Sequence, residues 1–123
     1  YNLLDTLSIK ENIILPLALE KVGARVIEEK ANDIAGLLNI KDILNKRPYE
    51  VSGGQQQRAA CARALIHNPS IILADEPTGN LDEKNKRIVM DIINEINRKG
   101  KTVIIVTHDL EVAKQCSRII NLQ

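Results

Sequence analysis

The chain has 123 residues, with 17 Lys+Arg against 16 Asp+Glu and a formal charge of +1. That length suits one domain with a real core but is short for a complete large enzyme, and 44% hydrophobic with 27% charged residues argues against disorder. The near-zero charge and 2% aromatic content, with no Phe or Trp, exclude a dedicated nucleic-acid binder, and no apolar run approaches the roughly 20 residues that span a bilayer.

Taken in chain order, the pattern is helical up to Asn68-Pro69 and then turns to short β-branched runs alternating with amphipathic segments. Ser8-Ile-Lys-Glu11 is a capping-box pattern, so a helix starts there with Ile9, Ile13 and Leu17 on one face; Pro16 should bend or interrupt it. A second helix is expected from about Ala24 to Leu38, with Val26, Ile27, Ile34 and Leu38 as its apolar stripe and Glu28, Glu29 and Lys30 in water. A short segment at Asp42 to Asn45 precedes Arg47-Pro48, and Ser52-Gly53-Gly54 opens a helix from Gln55 to about His67.

Beyond that point Ser70 to Ala74 and Thr102 to Val106 read as strands covered on both faces. Between them a helix over Glu83 to Arg98 carries Ile88, Ile92, Ile93 and Ile96, and Gly100 closes it. A short helix, Leu110 to Gln115, leads to an expected last strand, Arg118 to Leu122. Strand, helix, strand, helix, strand is the grammar of a parallel α/β sheet. The expected organisation is a helical part over 1–68 and an α/β part over 69–123. Cys61 and Cys116 have no partner nearby in sequence and read as small buried hydrophobes in a reducing compartment; two histidines exclude a His-rich metal cluster.

Two short stretches carry chemistry. Ile71-Ile-Leu-Ala-Asp-Glu76 is an apolar strand that delivers Asp75 and Glu76 to the C-terminal edge of a parallel sheet, where such folds bind ligands. One carboxylate there can hold a hydrated Mg²⁺ and its neighbour can take a proton from water. The same residues also fit a strand followed by an acidic helix cap. In Val51-Ser-Gly-Gly-Gln-Gln-Gln-Arg58, two glycines let the backbone approach an anion and the helix N-terminus aims its amides outward. A plain Ser N-cap with a glycine turn explains that stretch equally well, with the glutamines as solvated surface.

In order along the chain stand Val51-Ser-Gly-Gly-Gln55, Arg63-Ala-Leu65, Pro69, Ile71-Ile-Leu-Ala-Asp-Glu-Pro-Thr78, Asn80-Leu-Asp82 and Thr107-His-Asp109. That series resembles the nucleotide-binding domain of ATP-binding cassette (ABC) transporters, over essentially the whole chain and most specifically from Pro48 to Asp109. Leu3-Leu-Asp-Thr-Leu7, Leu15-Pro-Leu-Ala-Leu19 and Glu76-Pro-Thr-Gly-Asn-Leu-Asp82 are most similar to the bacterial branch that exports or extracts antimicrobial peptides, macrolides and lipoproteins. The resemblance implies an α/β P-loop NTPase fragment: a helical subdomain with the signature loop and helix, then an incomplete parallel sheet of a RecA-like core flanked by helices. It implies that Ser52, Gly53, Gly54 and Gln55 touch the γ-phosphate of ATP held by a second subunit. Asp75 would be associated with Mg²⁺ through water, and Glu76 would be the general base. Asp82, with Asn80 and Leu81, would lie at the dimer seam, and His108 would be the switch histidine that contacts the γ-phosphate and orients Glu76. The first signature position is Val51 where Leu is usual, an apolar side chain being kept.

A P-loop enzyme needs Gly-x-x-x-x-Gly-Lys-Ser/Thr. The lone Gly-Lys-Thr, Gly100-Lys101-Thr102, has Glu95 where the first glycine belongs and joins a helix to a strand in the wrong order. Tyr1-Asn2 looks like the stretch just after the family's metal-contacting glutamine. The chain is therefore expected to be the second half of an ABC ATPase, inactive alone and weak in ATP affinity. The implied partners are a second nucleotide-binding subunit and a transmembrane permease, with no nucleic acid; the implied place is cytoplasmic, on the inner face of the membrane. The alternatives are a helical module that docks on the permease without catalysing, and a non-transport ABC ATPase, against which the absence of a sustained heptad speaks. Without the family's phosphate-loop strand, the implied sheet has a gap beside Val103 to Val106, to be relieved by the last strand shifting over or by two chains pairing through their edges.

Overall fold

The computed structural model describes residues 3–122, so the reading of Tyr1-Asn2 lies outside the described residues. The chain divides into two compact units between Ser70 and Ile71.

The first unit is helical. Helix α1 (Ile9–Leu19) begins at a capping box: the Glu11 amide donates to Ser8 Oγ at 3.0 Å and the Ser8 amide to Glu11 Oε1 at 2.8 Å. Two first-turn amides that no helix can satisfy internally find carbonyls elsewhere, Ile9 on Lys46 at 2.8 Å and Lys10 on Leu44 at 2.9 Å. Ile9, Ile13 and Leu17 are buried as the spacing requires. Of the two expected effects of Pro16, bending or interruption, interruption does not occur: the helix runs on to Leu19. The ring costs the Asn12 carbonyl its helical donor, but Ile13 and Leu17 on the buried face hold the turn in place.

Helix α2 (Ala24–Leu37) buries the stripe its large residues suggest, apart from Val26, with two alanines completing it. Ala31, Ala35 and the following Leu38 are buried, Ile27 and Ile34 are half-buried, and Val26 is exposed. Small side chains let helices approach closely, and the larger ones sit on the flanks. Glu28 is exposed as expected and, on that surface, receives Lys10 Nζ at 2.9 Å, which ties α2 to α1. Short 3₁₀ turns at Lys41–Ile43 and Pro48–Glu50 lead into α3 (Gly53–Leu65), which buries Ala59, Ala62 and Leu65.

The second unit is a strand–helix–strand–helix run: β1 (Ile71–Asp75), α4 (Glu83–Arg98), β2 (Thr102–Val106) and α5 (Leu110–Lys114). The strands are parallel, in register from Ile71 opposite Thr102 to Asp75 opposite Val106. Val103 and Ile105 pack against a core of Leu81, Val89, Met90, Ile93 and Val112. The opposite face is open, with Ile71 63%, Leu73 71%, Ile104 50% and Val106 54% exposed, so the strands are covered on one face rather than two. Gly100 follows α4 with φ +95°, a left-handed conformation natural to glycine, and closes the helix as expected.

The expected last strand is absent. Residues Arg118 to Leu122 have no regular structure, pair with neither β1 nor β2, and leave Ile119, Ile120 and Leu122 exposed. A strand exists only where a ladder receives its amides. The expected shift of this segment onto Thr102 to Val106 therefore does not occur. Among the described residues no helix is long and apolar enough to cross a membrane.

Candidate functional site

In the first unit, the candidate loop heads α3. Ser52 is the N-cap in extended conformation; its Oγ accepts from the Gln55 amide at 3.1 Å, while Gln55 Oε1 accepts from the Ser52 amide at 2.9 Å. Gly53 and Gly54 fill the first two helical positions, the first exposed and the second buried. The reciprocal cap occupies one lone pair on each of Ser52 Oγ and Gln55 Oε1 and leaves the Ser52 hydroxyl hydrogen available. The following glutamines are half-buried rather than solvated. Gln56 Nε2 donates to the carbonyls of Pro48 at 2.9 Å and Val51 at 3.4 Å, pinning the 3₁₀ turn to the helix and fixing how the loop leaves it.

In the second unit, β1 ends on Asp75, which is exposed, and the chain turns sharply at Glu76. Glu76 has φ +46°, the left-handed region that non-glycine residues seldom occupy and that costs about 1–2 kcal/mol. Hydrogen bonds hold it there. Its amide donates to the Val106 carbonyl at 2.7 Å, extending the β ladder, and its carbonyl accepts from Gly79 at 3.1 Å. Its carboxylate accepts from the His108 amide at 2.7 Å on Oε1 and from the Thr107 hydroxyl at 3.1 Å on Oε2. The Asp109 amide donates to Thr107 Oγ1 at 3.0 Å and completes the chain of bonds.

The parallel register thus brings Asp75, Glu76 and His108 to one end of the two strands. His108 meets Glu76 through its backbone amide, and its side chain is exposed. Asp82 caps α4: its Oδ1 accepts from the Asn85 amide at 2.8 Å and from Asn85 Nδ2 at 2.9 Å. Those bonds, the backbone one first, hold its carboxyl below the usual carboxylate range. Sequence reasoning missed Thr107, whose signal was its place just past β2, beside Glu76 in the register. Cys61 and Cys116 are free thiols, both half-buried; burial pushes the Cys61 thiol up to about 11, which keeps it protonated at neutral pH.

The profile of the family described as ABC transporter matches residues 1–79. The chain belongs to the ABC transporter family. As an ABC transporter ATP-binding domain it is 59% identical to the ABC transporter ATP-binding protein YvcR of Bacillus subtilis over 98% of its own length and 47% of the relative's. It is 50% identical to the bacitracin export ATP-binding protein BceA of Halalkalibacterium halodurans, over 98% of this chain and 48% of that one. Relatives named for macrolide export and for lipoprotein release also match, which places the chain among the homologues of that exporter branch. A solved dimeric ABC cassette, MJ0796 in a post-hydrolysis state bound to ADP and Pi, superposes with a TM-score of 0.80 at 40% identity, covering 92% of this chain and 51% of that one. The fold is that of a P-loop NTPase fragment. The chain spans about half the length of the relatives it matches.

Proposed function

We propose that this chain supplies the signature and hydrolytic half of the ATP-binding subunit of an ABC exporter, and that ATP binding and hydrolysis there drive export or extraction of a peptide, drug or lipoprotein through a permease. The observation that carries this reading is the geometry of Glu76: a strained, half-buried carboxylate at the end of a parallel strand, held by two donors. Strain of this kind persists where the surroundings over-determine it, as at reaction centres. Each carboxylate oxygen accepts one bond and keeps a lone pair for a water, which is what a general base for the attacking water needs.

Asp75 is exposed, and its carboxylate oxygens are hard donors of the kind Mg²⁺ prefers. That fits Mg²⁺ held by one carboxylate together with waters and substrate phosphates, where it would neutralise charge on the phosphates. Ser52, Gly53, Gly54 and Gln55 would meet the γ-phosphate of ATP held by a second nucleotide-binding subunit, through helix amides and the free Ser52 hydroxyl hydrogen. Asp82 would lie at the seam between the two subunits, and His108 would reach the γ-phosphate with its exposed ring. The helical unit, with its closed core, would be the subdomain that docks on the permease and keeps the subunit on the cytoplasmic face of the membrane; the unit from Ile71 would belong to the RecA-like core.

The chain carries no phosphate-cradling Gly-x-x-x-x-Gly-Lys-Ser/Thr, so the 123 residues alone should show no saturable ATP binding at low-millimolar concentration. Calorimetry that finds micromolar affinity overturns this. In the complete subunit, Glu76→Gln should lower ATP turnover by about 10²–10⁴-fold, and retained turnover sinks the assignment of the base.

A further inference from the structure

We infer that Thr107 is a positioning residue for Glu76, its hydroxyl setting where the carboxylate points; the inference rests on the reading of Glu76 as the base.

The register leaves Glu76 and Thr107 side by side one step beyond the last paired residues, Asp75 and Val106. Thr107 Oγ1 accepts from the Asp109 amide at 3.0 Å, which occupies one lone pair and directs the single hydroxyl hydrogen to Glu76 Oε2 at 3.1 Å. The other oxygen is held by the His108 amide at 2.7 Å, the length of a charge-assisted bond. A glutamate tied at one oxygen can still swing about that bond; tied at both, its plane is defined. The His108 amide is backbone and cannot be removed by substitution, so Thr107 is the side chain through which sequence sets the angle. A base whose carboxylate turns away from the line of attack loses rate without losing substrate, because ATP is bound by other groups.

The bond between Asp109 and Thr107 would also exist if Thr107 only shaped the turn into α5. Steady-state ATPase kinetics of the complete subunit distinguish the roles. Thr107→Val keeps the shape and loses the hydroxyl; kcat should fall by about 10- to 100-fold with KM for ATP within about twofold. Thr107→Ser restores the hydroxyl and should return most of kcat. In a Glu76→Gln background, Thr107→Val should change nothing further. Wild-type kcat in Thr107→Val overturns the inference, as does equal impairment of the Val and Ser variants. Should Thr107→Val not fold, Thr107→Ala read against Thr107→Ser provides the same contrast. The two readings fail separately: turnover retained in Glu76→Gln removes the base assignment, whereas turnover lost there but unchanged in Thr107→Val removes only the positioning role. Hydrogen exchange on the 123-residue chain checks the hold on the carboxylate, since Thr107→Val should loosen Glu76 and speed exchange at the His108 amide that donates to it; unchanged exchange there counts against the inference.

Discussion

The two units bury their apolar residues with unequal success. The helical unit closes on itself: Ile9, Ile13, Leu17, Ala35, Leu38, Ile40, Ala59 and Ala62 are buried, and even its fully buried Asn12 is satisfied. The Leu4 amide donates to Asn12 Oδ1 at 2.7 Å, and Asn12 Nδ2 donates to the carbonyls of Leu4 at 3.0 Å and Ser8 at 2.9 Å. In the second unit, one sheet face packs on α4 and the other exposes four large aliphatic residues. Helices satisfy their backbone locally and need only one covered face, whereas a parallel sheet in this class of fold needs helices or strands on both. Completeness is therefore a property of each unit, and the unit that carries the carboxylates is the one that remains open.

Several substitutions sharpen this contrast when stability is read by site-resolved hydrogen exchange, which reports each unit separately. The largest effect is expected at Ile13→Ala, about 2–5 kcal/mol lost across the helical unit, because the cavity lies in a closed core; Ile105→Ala, half-buried on the sheet, should cost distinctly less. Equal losses would show that the sheet is as well packed as the helices. Asn12→Ala should cost about 1 kcal/mol or more by leaving the part-buried Leu4 amide and carbonyl without their side-chain partner, and unchanged protection at Leu4 would refute the clasp. Gly100→Ala, at φ +95°, should destabilise α4 and β2 by about 1 kcal/mol, and no loss would mean that the turn relaxes.

The open face offers a smaller effect on stability and a clear one on association. Leu73→Thr with Ile104→Thr should shift stability by no more than about 0.5 kcal/mol while lowering self-association in sedimentation experiments, since exposed apolar strands recruit other chains. A dimer that persists unchanged would assign association to another surface. Least of all, both units should share a mild acid sensitivity. Glu11, held by the Ser8 amide and hydroxyl, and Asp82, held by Asn85, both have lowered folded-state pKa values. Their cap stabilisation is present above the unfolded-state values and is lost as pH falls from about 4 through the depressed folded values. Exchange at the Ser8 and Asn85 amides, which donate to the two carboxylates, between neutral pH and pH 3, corrected for intrinsic rates, checks this; protection that rises on acidification would contradict it.

What was legible in the sequence depended on local rules. The Ser8 and Ser52 capping boxes, the helix Glu83–Arg98 and the strand Thr102–Val106 follow from hydrogen bonds and periodicities that span a few residues. The family, too, was legible, because its motifs are contiguous. Misreadings arose where a residue's fate depends on a neighbour distant in sequence. Pro16 continues a helix because core packing holds it, Val26 falls outside the buried stripe of α2 that Ala31 and Ala35 complete, and Arg118 to Leu122 form no strand because no ladder receives them.

The site divides along the same line. Sequence alone determined that Asp75 and Glu76 end an apolar strand and that Ser52 caps a glycine-led helix, since both facts lie within one element and its flanks. Only the tertiary structure decided that Glu76 takes a left-handed backbone, that its carboxylate rests on the Thr107 hydroxyl and the His108 amide, and that His108 serves it with main chain rather than ring. Those contacts bridge residues 31 and 32 positions apart. They exist because β1 and β2 pair in parallel with one particular register, and a slip of a single residue would turn the same side chains to the other face.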